Sequence, residues 1–280
     1  MSDHLRPGFF IIGANKCGTS SLYRYLVDHP EVLPCAEKEP NFFGRHSPQH
    51  IADHIEDYFA MFPRSGDDGP VGLQWEVRDE AGGDHHTTLM VERDPGRAHV
   101  TGEATASTFH EVPPDLLHRH LPETRLIVLV RNPVDRASSH HRMYRRFYAS
   151  GYELEGPVGD FESDIAAELE AHARGERTRY LTPGFYADLL ERWEGAYGRD
   201  RILVIPTEDL ADAGSAARTM AVVHGYLGLH PYSNPALLRR RFNWAPPDGM
   251  SPSVRAALAE LYAPHNARLE RRLGRSLGWR

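Results

Sequence analysis

Residues 9–29, FFIIGANKCGTSSLYRYLVDH, constrain the fold of this chain more than any other stretch. The apolar run Phe9, Phe10, Ile11 and Ile12 ends in a loop that holds Gly13 and Gly18, and Leu22, Tyr23 and Leu26 then share one face of an amphipathic segment. That order reads as strand, phosphate loop, helix. The glycines let the backbone turn tightly, and the free N–H groups of the new helix point at whatever anion occupies the loop. Gly13 and Gly18 have the separation of the Walker A pattern, but Thr19 stands where that pattern carries its Lys, which is found instead at position 16. In a P-loop NTPase that Lys reaches the β- and γ-phosphates and the next hydroxyl holds Mg²⁺. A charge moved inward fits a shorter phosphate group, and no clear Walker B Asp follows. The plain alternative is an ordinary strand-to-helix turn.

Composition narrows the options. The length of 280 residues suits one α/β domain with excursions, and 40% hydrophobic with 25% charged residues is ordinary for a globular protein. No apolar run approaches the roughly 18–20 residues that span a bilayer. The start, MSDHLRPG, lacks the pattern of a signal peptide, so a cytoplasmic location is expected. A net charge of −7 argues against a nucleic-acid partner and counts mildly against a polyanionic glycan. Two cysteines, Cys17 and Cys35, give neither a disulfide framework nor a four-ligand metal site. Lysine occurs only at positions 16 and 38, every other cation being Arg. A Lys is a compact charge that follows a single oxygen, whereas Arg is a planar fork, so the two positions that keep Lys are singled out.

A second stretch, TRLIVLVRNPVDRASSHHRMYRR, reinforces the first. Leu126 to Val130 is a continuous apolar run, the mark of a strand buried on both faces of a parallel sheet. It ends at Arg131, and Pro133 opens a helix at its tolerated first turn. Ser139 follows about two turns further on. A scaffold strand with a Pro-capped helix is the alternative.

Both stretches resemble sulfotransferases that use 3′-phosphoadenosine 5′-phosphosulfate (PAPS). The resemblance implies that Lys16, Cys17, Gly18, Thr19 and Ser20 cradle the 5′-phosphosulfate, and that Arg131 and Ser139, in R-[ND]-P-x-x-R-x-x-S, hold the 3′-phosphate. It continues in KEPNFF, which is similar to the K-E-P-x-F-F segment of bacterial members and to E-x-x-F-F of the heparan-sulfate branch. On that match Glu39 is the catalytic base, a sensible task for a carboxylate beside an acceptor hydroxyl, and Lys38 and Phe43 lie on the acceptor side. HVTGEATASTF is similar to the family's G-E-x-T-P or E-K-T-P element; Glu103 and Thr105 match, while Ala104 and Ala106 replace the usual Lys and Pro. The missing Lys leaves Lys16 and Lys38 more of the charge stabilisation. Glu103 is a second candidate carboxylate and His110 a rival base. In RRRFNWAPPDG the resemblance puts Asn243 at the nucleotide, but Pro246 falls where the family carries Arg, so Arg239, Arg240 or Arg241 is left to make that contact.

The expected fold is therefore α/β: a P-loop-containing three-layer fold with a mostly parallel central sheet flanked by helices. A single domain over residues 1–280 is expected, with an inserted hairpin at 70–98 and a helical acceptor-side segment at 149–180. His85 and His86 belong to the polar tip of that hairpin rather than to a metal site, and Tyr186 and Trp193 to the core. The implied reaction is sulfuryl transfer from PAPS, as co-substrate and without a metal, to a small-molecule, lipid or carbohydrate acceptor, with release of adenosine 3′,5′-bisphosphate. Acceptor identity and oligomeric state are not readable. A P-loop kinase using ATP and Mg²⁺ and a non-catalytic nucleotide-binding protein remain as alternatives. Cys17, beside a Lys and a helix N-terminus, is expected to have a lowered thiol pKa and to block nucleotide binding when alkylated.

Overall fold

The computed structural model describes residues 3–78, 84–152, 156–240, 242 and 249–279. Its elements in chain order are β1 (Pro7–Gly13), α1 (Thr19–Leu26), β2 (Val32–Pro34), α2 (Phe42–Arg45), α3 (Pro48–Asp53), α4 (Ile55–Phe59), β3 (Val71–Arg78), β4 (Asp84–Val91) and β5 (Val100–Ala104). There follow α5 (Thr108–Glu111), α6 (Pro114–His120), β6 (Arg125–Val130), α7 (Pro133–Ala149), α8 (Phe161–Ala173), α9 (Tyr186–Tyr197), β7 (Ile202–Pro206), α10 (Ala213–Leu227), α11 (Pro235–Leu238) and α12 (Pro252–Leu273). The main sheet has five strands in the order β2-β5-β1-β6-β7, and every neighbouring pair is parallel.

Burial explains why β1 takes the centre. Phe9, Phe10, Ile11 and Ile12 alternate between the two faces of the sheet, and none is more than 1% exposed. Each such side chain contributes about 1.5–3 kcal/mol when removed from water. Leu126 to Val130 on β6 are buried in the same way. From β1 the chain runs outward to β2 and back through β5, then crosses to β6 on the other side of β1. Connections thus diverge on either side of β1, and its carboxyl end is the switch point where open α/β sheets bind ligands.

The helices begin where local chemistry directs. Asn132 caps α7 by accepting from Val134 N at 3.0 Å, and Pro133 occupies the first turn. Asp212 and Ser215 form a reciprocal capping box on α10, and Gly228 ends that helix at φ 75°. The spacing over residues 51–61 reads as one helix, but the structure breaks it at His54 into α3 and α4, which still bury Ile51, Tyr58 and Phe59. The hairpin expected near 70–98 is β3 paired antiparallel with β4, and it is no loose appendage. Leu73 and Trp75 are buried, Trp75 stacks on Tyr23 of α1, and Gln74 exchanges backbone hydrogen bonds with Ala36 and Lys38. Tyr186 and Trp193 are each 1% exposed, in the core. Among the described residues no helix is long and apolar enough to cross a membrane.

The sheet's tightest point is testable. A Cβ on Gly102 would stand 2.3 Å from the Phe9 carbonyl oxygen, which is backbone and has nowhere to go. Gly102→Ala is expected to cost about 1–3 kcal/mol, read as a lower urea midpoint at unchanged slope; an unchanged midpoint would contradict this packing.

Candidate active site

The loop between β1 and α1 is held open by its anchors. Ala14 N donates to Leu129 O at 2.8 Å, Cys17 N to Ala14 O at 3.2 Å, and Lys16 takes a left-handed φ of 69°. Gly18, at φ 92°, caps the helix in a conformation that favours glycine. Among the described residues the N–H groups of Lys16, Gly18 and Thr19 meet no acceptor. Free N–H groups clustered at the start of a helix suit an anion. Arg131 reaches the same loop, its Nη1 donating to Lys16 O at 3.4 Å. Ser139 is half-buried, about two turns into α7.

The loop after β2 arrives from the other side. Lys38 N donates to Gln74 O at 2.9 Å and Glu39 N to Ala104 O at 3.2 Å, so the hairpin and β5 grip the two residues together. Glu39 is exposed, at φ 58°, and its Oε1 accepts from Lys38 Nζ at 2.6 Å. The Lys38 ammonium lies 5.6 Å from the centre of the Trp75 ring. A carboxylate in this position can receive a proton, and its lysine neighbour keeps it oriented.

Lys16 is where the two loops and α7 meet. Burial lowers its pKa to about 8, and the charges of Arg146, Lys38 and Arg142 push the same way, while Glu39 opposes them. Its Nζ lies 3.7 Å from Met143 Sδ. A desolvated ammonium among three other cations favours an anionic ligand, which would relieve both penalties. Sequence reasoning missed Arg142 and Arg146. The signal was present, because Ser139, Arg142 and Arg146 follow one another at helical spacing on one face of α7.

Several expected site residues stand elsewhere. Phe43 is 4% exposed and packs on Phe42, Tyr58 and His120, so it supports the loop from below and does not face an acceptor. Glu103 is also beneath the loop, 1% exposed, hydrogen-bonded to Tyr58 and Thr105. His110 is buried, and burial together with Arg136 and Arg177 lowers its pKa to about 3, too weak a base for an acceptor hydroxyl. Cys17 turns its side chain inward. Its thiol is fully buried, 3.5 Å from Tyr186 Oη, and burial raises its pKa to about 11, so the lowered value expected from its neighbours is overturned by desolvation. Asn243 and Arg241, with Pro246, lie outside the described residues.

Residues 7–228 match the model of a family described as "Sulfotransferase family". Human carbohydrate sulfotransferase 15 is 28% identical over 308 residues, which cover 94% of this chain and 52% of that protein. Human bifunctional heparan sulfate N-deacetylase/N-sulfotransferase 3 is 27% identical over 81% of this chain and 23% of its own length. The chain therefore spans about half the length, or less, of these relatives. Among solved structures, a sulfotransferase from Alicyclobacillus acidocaldarius aligns over 98% of both chains with a TM-score of 0.65 and 24% identity. Mouse sulfotransferase SULT7A1, complexed with PAP, aligns over 94% of this chain and 86% of its own with a TM-score of 0.52 and 14% identity. These structures share the fold.

The buried thiol gives a direct check on the loop. Iodoacetamide at neutral pH is expected to leave Cys17 unmodified in the native protein and to label it once denaturant is added, as read by mass spectrometry. Rapid native labelling of Cys17 would place it on the open side of the loop and contradict the arrangement described.

Proposed function

The chain belongs to the sulfotransferase family, and on that premise we propose that it transfers a sulfuryl group from PAPS to an acceptor hydroxyl, releasing adenosine 3′,5′-bisphosphate. The observation that carries this reading is the convergence on Lys16 of the open phosphate loop, Glu39 and α7. The unmet N–H groups of Lys16, Gly18 and Thr19, with the Thr19 and Ser20 hydroxyls, suit the 5′-phosphate end. Arg131 and Ser139 suit the 3′-phosphate, with a charge-assisted fork and a hydroxyl.

In the proposed step Glu39 takes the proton of the acceptor hydroxyl as its oxygen bonds to sulfur. The bond from sulfur to the bridging oxygen breaks, and Lys16 neutralises the charge left on that oxygen. No covalent intermediate with the protein is needed, so the residues act by positioning and electrostatic stabilisation. The names of the relatives favour a carbohydrate among the small-molecule, lipid and sugar acceptors. Lys38, held against Glu39 and Trp75, takes over part of the charge stabilisation that Ala104 does not supply.

Two outcomes are expected. Adenosine 3′,5′-bisphosphate without metal raises the melting temperature, because a ligand at about 100 times its Kd stabilises the native state by about 2.7 kcal/mol; ATP with Mg²⁺ does not match it. Lys16→Ala and Glu39→Ala each lower PAPS-dependent transfer by about a hundredfold or more, and near wild-type rates in both variants would overturn the assignment.

A third outcome concerns pH. The Lys16 pKa is lowered to about 8, so its charge is complete well below that pH and is lost as pH rises through it. Affinity for adenosine 3′,5′-bisphosphate, measured by calorimetry, is expected to hold near pH 7 and to weaken as pH passes 8. Lys16→Met should abolish that fall; a fall of the same size in the variant would assign it to another group.

A further inference from the structure

One buried carboxylate is left without a part in the transfer step, and it lies directly beneath the loop that carries Glu39. Glu103 sits near the end of β5 and is 1% exposed. Two hydroxyls hold it. Tyr58 of α4 donates to Oε1 at 2.8 Å, and Thr105 donates to Oε2 at 2.5 Å. With its hydrogen committed to Glu103, the Thr105 oxygen has only lone pairs to offer in the other direction. It accepts from Asn41 N at 3.3 Å. A relay from carboxylate to hydroxyl to backbone amide thus runs from β5 into the loop.

The loop needs holding. Glu39 N is tied to Ala104 O at 3.2 Å, and Asn41 N to Thr105, so adjacent residues of one strand end grip both sides of Pro40. Between those anchors Glu39 has φ 58° and Asn41 φ 51°. Left-handed conformations are uncommon for residues other than glycine, and they persist where the surroundings over-determine them. Released from its anchors, this backbone has lower-energy regions to relax into, and the Glu39 carboxylate would move with it.

We propose that Glu103 is a positioning residue for the general base: through Thr105 it locks residues 39–41 in the conformation that presents Glu39 to the acceptor. The inference rests on the reading of Glu39 as base. Protonation should loosen the lock. A protonated Glu103 donates a hydrogen of its own, so one of the two hydroxyls must turn, and a turned Thr105 no longer aims its lone pairs at Asn41 alone. The titratable groups that act on Glu103 are Tyr58, Glu39 and Glu37, and it acts in turn on the buried Tyr23 and Cys35, both held neutral. Burial first, and then the two acidic neighbours, raise its pKa to about 7. Its ionised, two-acceptor form is therefore lost as pH falls through about 7.

The test measures kcat, KM and pH dependence of PAPS-dependent transfer in Glu103→Gln, Thr105→Val, Glu103→Asp and Glu39→Ala. Glu103→Gln replaces one acceptor oxygen by a donor, and Thr105→Val removes the relay while leaving the carboxylate in place. Each is expected to lower kcat by about tenfold to a hundredfold, the scale of an ångström-sized misplacement. Binding of adenosine 3′,5′-bisphosphate, read by thermal shift in the same samples, should be unchanged and certifies the fold. Glu103→Asp should recover part of the loss, and Glu103→Gln should remove the acid limb near pH 7. In the Glu39→Ala background Glu103→Gln should cost almost nothing further, because two residues acting as a unit are not additive. A wild-type kcat in Thr105→Val, or full additivity with Glu39→Ala, overturns the inference while leaving the base assignment standing. A wild-type rate in Glu39→Ala alone overturns the base assignment, and this inference with it.

Discussion

The site depends on a small knot of hydrogen bonds that ties the phosphate loop to the end of β6. Thr207, just after β7, places its hydroxyl 2.6 Å from Cys17 O and 3.0 Å from Val130 O. Tyr186 of α9 donates its hydroxyl to Arg131 O at 2.9 Å, accepts from Arg131 N at 3.4 Å, and lies 3.5 Å from Cys17 Sγ. Carbonyls that belong to two different strand ends thus share partners from two other elements. A buried carbonyl left unpaired costs about 1–3 kcal/mol, so the loop and Arg131 cannot drift apart cheaply. Both ends of the proposed nucleotide clamp are referenced to this knot.

The electrostatics around Lys16 run against stability. Lys16 is desolvated, and the charges of Arg146, Lys38 and Arg142 add to that penalty while Glu39 opposes it. Buried polar arrangements of this kind violate the rules that govern a stable core and are expected at functional positions. Beneath them, Glu103 repeats the pattern with opposite sign, a carboxylate pushed upward by burial and by Glu39 and Glu37. Folding holds the strained loop from below, through Ala104 and Thr105 at the end of β5. The chain accepts local penalties because the five parallel strands hold their ends in register.

Much of this was legible in the sequence. Four consecutive apolar residues before a glycine loop dictated the central strand, and the run from Leu126 to Val130 dictated its neighbour; such patterns are local and survive in one dimension. The phosphate loop followed from spacing, while resemblance to a family singled out Arg131 and, through KEPNFF, Glu39. What failed was burial. Cys17 and Glu103 both sit next to residues that suggest exposed chemistry, yet each turns inward, and no neighbour in sequence reveals that Tyr186 or Tyr58 covers it. Arg142 and Arg146 were overlooked because their closeness to Lys16 arises from the crossing of α7 over a loop more than a hundred positions away. The hairpin was legible as a hairpin, but its grip on Lys38 through Gln74 required the third dimension.

The central claim is that one nucleotide spans the loop after β1 and the start of α7. A crystal structure of this chain with adenosine 3′,5′-bisphosphate tests it most directly. The 5′-phosphate is expected within hydrogen-bond distance of the N–H groups of Gly18 and Thr19 and of the Lys16 ammonium, with the 3′-phosphate on Arg131 and Ser139. A nucleotide bound elsewhere, or one whose phosphates avoid Lys16 and Arg131, would contradict the account.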